Sequence, residues 1–132
     1  MNVQKDWAAL LGRIVLAVIF VVSGFGKLTG FDGTTGYIAS KGLPMPQLLA
    51  AVSILIELGG GLAVIIGWKT RWAALAFIVF LIVITPIFHN YWAAPQEQMM
   101  AQQINFMKNL SMLGGFLLLL GFGPGRYSLD RA

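Results

Sequence analysis

Cysteine is absent from the chain, and histidine occurs once, as His89. The first absence excludes thiol–disulfide catalysis, cysteine-held iron–sulfur clusters and cysteine-type zinc sites. The second excludes a multi-histidine metal site or a bis-histidine haem within one chain, so no metal site is expected. Charge is also scarce: 11% of the 132 residues are Asp, Glu, Lys or Arg, against 58% hydrophobic, with mean hydropathy +0.78. Soluble domains average about 25% charged and about 45–50% apolar residues, so this composition is that of an integral membrane protein. A β-barrel would show alternating segments of ~10 residues. The apolar runs here are continuous and about twice that long, which is the length of a spanning helix. Nucleic acid is excluded as a partner despite the net charge of +4, because no basic patch on a soluble surface is present to hold it. The lipid bilayer is the expected partner.

Four spans are predicted, over residues 7–25, 46–68, 72–88 and 103–122, in a single domain covering 1–132. The fold class is therefore all-α: a polytopic four-helix membrane bundle. The first span reads as an uncleaved helix rather than a signal peptide, because Arg13 interrupts its apolar core and no clean small-residue cleavage site follows. It ends at Ser23-Gly24-Phe25-Gly26-Lys27, where Lys27 can snorkel to the interface. In the long connection that follows, Asp32 or Thr34 can cap a short interfacial helix over 35–40, stopped by Gly42 and Pro44. Pro46 suits the first turn of span two. The brief Lys69-Thr70-Arg71 turn makes spans two and three antiparallel neighbours, and Pro86 predicts a kink near the end of span three. Gly123-Pro124-Gly125 stops span four and leaves a polar tail.

An even number of crossings puts both termini on one side. That side collects Lys5, Arg13, Lys69, Arg71, Arg126 and Arg131, whereas Lys27, Lys41 and Lys108 fall on the other. The positive-inside rule then makes the termini cytoplasmic. Trp7, Trp68, Trp72, Tyr91 and Trp92 fall at span ends, as an aromatic belt requires.

The chain is organised around Glu57 and the three glycines Gly59, Gly60 and Gly61 in the middle of span two. A carboxylate about 16 Å from either end of a helix lies near the bilayer midplane. There it costs roughly 2.5–3.5 kcal/mol to insert and faces the bundle interior or water. Small residues let a neighbouring helix approach closely, a role expected of Gly59, Gly60 and Gly61 and of Gly114 and Gly115 in span four. Arg13 lies about 9 Å inside one face and Lys108 about 8 Å inside the other. Either can bend toward Glu57, leaving a gap that a hydrogen bond or a water bridges. One reading is an ion-pair network that fixes helix register. The other is a polar cavity in which Glu57 binds a cation, exchanges protons or holds a polar head group. His89 reads either as an interfacial polar residue or as a proton-handling or quinone-carbonyl partner near the outer mouth, where Lys27, Lys108 and Asn109 also arrive. Gly24-Phe25-Gly26-Lys27 lacks the strand and spacing of a phosphate loop, and the methionines read as packing.

In order along the chain, Arg13, Ser23-Gly24-Phe25-Gly26-Lys27, Gly42-Leu43-Pro44, Glu57-Leu58-Gly59-Gly60-Gly61, Phe88-His89, Lys108-Asn109-Leu110 and Gly123 to Asp130 resemble the DoxX family of small bacterial membrane proteins. The resemblance covers nearly the whole chain. It implies a four-helix fold in the bacterial inner membrane and picks out Arg13, Lys27, Glu57, His89, Lys108 and Asn109 as ligand-binding or proton-handling residues. Relatives in that family include a subunit of a thiosulfate:quinone oxidoreductase and a membrane partner of oxidative-stress proteins; this chain looks like the short stand-alone type. A redox-associated subunit that binds a quinone or similar lipid-like molecule is therefore the leading expectation, with a redox partner protein supplying electrons. A small proton-coupled transporter, formed by a homo-oligomer, and a non-catalytic scaffold remain as alternatives.

Overall fold

The computed structural model describes residues 3–130; Arg131, one of the cations that set the expected orientation, lies outside them. The fold is the expected one. Among the described residues four helices are long and apolar enough to cross a membrane. Span one is α1 (Val3–Thr29). A short helix, α2 (Phe31–Ser40), follows it and begins earlier than the capping signals suggested. Span two has three parts: α3 (Pro46–Ile54), a π-helical turn (Leu55–Gly60) and α4 (Gly61–Ile66). Span three is α5 (Thr70–Phe88) and span four is α6 (Gln96–Phe122).

Span ends follow local chemistry. Pro46 occupies the first turn of α3 after Met45 in the left-handed region, and Gly67, also left-handed, closes α4. Pro86 is accommodated inside α5, which continues to Phe88. α1 and α6 extend beyond the hydropathy windows because the segments at 3–6 and 96–102, which mix polar with apolar residues, continue the helices. Hydropathy marks only the part that prefers lipid.

α1 packs along all three parts of span two, span two packs on α5, and α5 packs on α6. The centre is aromatic. Phe77 and Phe116 stack with centroids 4.5 Å apart and planes 9° apart, and Phe20 closes on Phe77 at 4.6 Å. Hydrocarbon solvates apolar side chains as well as a core does, so close fit rather than water exclusion holds such a bundle together. Gly60 and Gly61 supply that fit. A Cβ on Gly60 would stand 3.1 Å from the Phe77 ring, and one on Gly61 2.8 Å from Val21. Gly115 likewise sits against Leu16, at 3.1 Å. Gly114 does not take the packing role expected of it: nothing lies within 4 Å of its Cβ position. Gly59 meets only a side chain one turn earlier in its own span, Leu55, at an ordinary 3.7 Å.

Candidate functional site

Glu57 is paired, and its partner is Lys27. Lys27 Nζ donates to Glu57 Oε1 at 2.7 Å. Arg13 and Lys108, the two cations within bending range on sequence grounds, take no part. Two local features bring Lys27 into reach. The π turn inserts an extra residue into span two at Glu57, a distortion frequent at functional sites. Gly24, one turn before Lys27, lets that turn approach until the Leu58 backbone nitrogen would lie 2.7 Å from a Cβ there. Lys27 also sits in the last turn of α1, where a cation complements the helix dipole.

The pair is asymmetric. The Glu57 side chain is 4% exposed and that of Lys27 30%. Glu57 Oε2 is buried and has no hydrogen-bond partner. Lys27 opens onto a pocket of about 150 Å³, whose polar walls are Thr34, Tyr37, Ser53 and His89 and whose apolar walls include Phe80 and Phe88. This pocket shares Ile38, Ser53, Phe80, Ile84 and Phe88 with a larger groove of about 630 Å³ running between span two and α5. No charged side chain lines that groove; Leu49, Val52, Ile56, Val79 and Val83 are typical of its walls. His89 caps α5, and its Nδ1 lies 2.8 Å from Gln102 Oε1 on α6. Asn109 Nδ2 donates to Thr85 Oγ1 at 3.1 Å, tying α6 to α5. Lys108 is exposed on the outward face of α6, beside Gln103 and Ser111. Of the expected polar set, Lys27 and His89 therefore line one pocket, Glu57 stands behind it as the partner of Lys27, and Asn109 and Lys108 stand apart.

Arg13 belongs to the opposite end, about 21 Å along α1 from Lys27. Its Nη1 donates to the Val64 and Ile65 carbonyls at 3.0 Å each, and its Nη2 to the Tyr127 carbonyl. The carbonyls that α4 leaves without intrahelical partners are thereby satisfied. The tail folds back over the same end: the Leu129 and Asp130 amides donate to Ile66 and Gly67 carbonyls, and Asp6 Oδ1 accepts from the Arg126 amide. Asp130 caps α5, accepting from the Lys69 amide at 2.8 Å and from the Thr70 amide and hydroxyl at 2.7 Å. Partial burial alone would raise the Asp130 carboxyl, but the hydrogen bonds from Thr70 and Lys69 and the charge of Arg13 hold it below the usual carboxylate range. Sequence reasoning gave Asp6 and Asp130 no role. The available signal was an acid within a tail of helix-breaking residues.

Among the described residues no three His, Cys, Asp or Glu side chains gather to hold a metal ion. The arrangement offers a pocket with polar walls, its one cation balanced by Glu57, beside an apolar groove. Together these features define a membrane protein with four helices long and apolar enough to span, among the described residues, and with a polar-walled pocket beside an apolar groove.

A family model described as DoxX matches residues 8–90, which holds Arg13, Lys27, Glu57 and His89. The chain is 42% identical over 122 residues to the inner membrane protein YphA of Escherichia coli, covering 92% of this chain and 87% of YphA. It is 40% identical over 131 residues to the inner membrane protein YqjF of the same organism, covering 99% and 95%. A Bacillus subtilis protein named as a candidate oxidoreductase, CatD, is 38% identical over 82 residues, covering 62% of this chain and 60% of CatD. No solved structure matches. The chain belongs to the DoxX family.

Proposed function

We propose that the chain is a redox-associated subunit of the bacterial inner membrane that binds a quinone-like amphipath, with its tail in the groove and its head beside Lys27. The observation that carries this reading is the adjacency of a polar-walled pocket and an apolar groove that have Ser53, Phe80 and Phe88 in common.

Charge argues for the class of head. Glu57 already balances Lys27, so a phosphate would arrive at a neutral site, whereas an uncharged head with hydrogen-bonding oxygens is matched by the remaining Lys27 protons. The rings of Tyr37, Phe80 and Phe88 line the pocket and suit a flat ring. The chain has no cysteine and a lone histidine, so a separate redox partner supplies electrons; the name carried by CatD supports an oxidoreductase association. With both termini cytoplasmic, the pocket lies in the outer half of the membrane.

The test is mass spectrometry of lipids co-extracted with gently purified protein. Wild type should carry near-stoichiometric quinone. Ala76→Trp, which puts an indole into the groove, should lose it, and Lys27→Met should retain much less. Bulk phospholipid alone in all three samples would overturn the reading.

A further inference from the structure

Given a quinone-like head in the pocket, on which this step rests, the hydrogen-bonding sense of the wall decides which redox form fits. Tyr37 and Ser53 present hydroxyls that rotate to donate or accept, so they do not discriminate between heads. Two other groups are fixed in sense. Lys27 can only donate. His89 Nδ1 lies 2.8 Å from Gln102 Oε1; an amide oxygen accepts, so the imidazole is assigned the tautomer with its proton on Nδ1. A neutral imidazole that donates from Nδ1 has a bare lone pair at Nε2. No described residue donates to that lone pair, and His89 is part of the pocket wall.

A quinone carries carbonyl oxygens and no O–H. It satisfies Lys27 and leaves Nε2 unmatched. A hydroquinone offers lone pairs to Lys27 and an O–H to Nε2, so both fixed groups are satisfied at once. We infer that the site selects the reduced, hydroxyl-bearing form of its ligand over the oxidised form, with His89 as the discriminating residue and Gln102 as the residue that positions it. His89 is half-buried; an acceptor that a bound head covers and leaves unpaired costs more than a formed bond gains, and sites built to pair a ligand hydroxyl discriminate strongly against analogues that lack it.

The experiment is a pair of binding titrations on wild-type protein in lipid nanodiscs. One uses a decyl-chain benzoquinone kept oxidised, the other its hydroquinone held reduced under anaerobic conditions. The hydroquinone should bind about tenfold more tightly or better. In His89→Leu the two affinities should converge to within about twofold through loss of hydroquinone affinity, with quinone affinity kept. Equal or tighter binding of the quinone in wild type overturns the inference and leaves the quinone site standing. A preference that survives in His89→Leu overturns the assignment to His89. If neither form binds wild type, the proposed function itself fails, and this inference with it.

Discussion

Lys27 and Glu57 meet at 2.7 Å from opposite degrees of burial, one side chain 30% exposed and the other 4%. Severing the pair is therefore not symmetric. Lys27→Met strands a buried carboxylate and should cost about 3 kcal/mol. Glu57→Gln leaves an amine that can reach a wetter surface and should cost nearer 1 kcal/mol. Unfolding of both variants and of the double variant in one detergent checks the order. The double variant should be more stable than Lys27→Met alone, and the reverse would show that the carboxylate is not what the amine compensates.

Two glycines of the same composition should respond oppositely to alanine. At Gly24 the new methyl would meet the Leu58 backbone 2.7 Å away, so Gly24→Ala should push the π turn off α1 and cost roughly 1–3 kcal/mol. At Gly114 nothing lies within 4 Å, and Gly114→Ala should be neutral or gain up to about 1 kcal/mol from helix propensity. Thermal midpoints of the two variants decide it.

Asp130 makes stability depend on acidity at the tail. Its carboxyl is held below the ordinary value of 3.8 in the folded protein, so its contribution is complete above that value and disappears as pH falls through the lower, folded one. Asp130→Asn should cost about 1 kcal/mol at neutral pH, the usual worth of a helix cap. The gap from wild type should close as the pH is taken below about 4. A gap independent of pH would mean that the capping bonds do not need the charge.

The absence of native cysteine lets topology be read with single replacements. Ser40 and Lys69 are both exposed, on opposite ends of the bundle. In intact cells Ser40→Cys should react with a membrane-impermeant thiol reagent and Lys69→Cys should not. The opposite labelling would invert the orientation and put the pocket in the inner half.

Spans were legible because continuous hydropathy alone defines them, and Glu57 stood out because a carboxylate in such a run is conspicuous. Its partner was not legible. Depth counted at a regular 1.5 Å rise favoured Arg13 and Lys108, but the π turn and the close approach at Gly24 bring the pair partner from the end of α1 instead. Arg13 misled for a different reason. Its acceptors are backbone carbonyls of Val64, Ile65 and Tyr127, and every residue carries one of those, so no side-chain pattern announces them. The tail reads as a polar remainder because its structure consists of caps for other helices and has no periodicity of its own.

That arrangement sets an order of events during synthesis. The turn between spans two and three emerges sixty residues before the carboxylate that caps it. Arg13 emerges 114 residues before its Tyr127 acceptor. The first three spans must therefore wait in the bilayer with this end unlatched, and the bundle becomes fastened only when the chain after Gly123 has left the ribosome. A stop codon between Gly123 and Tyr127 would release a protein with every span present and this end of the bundle left open.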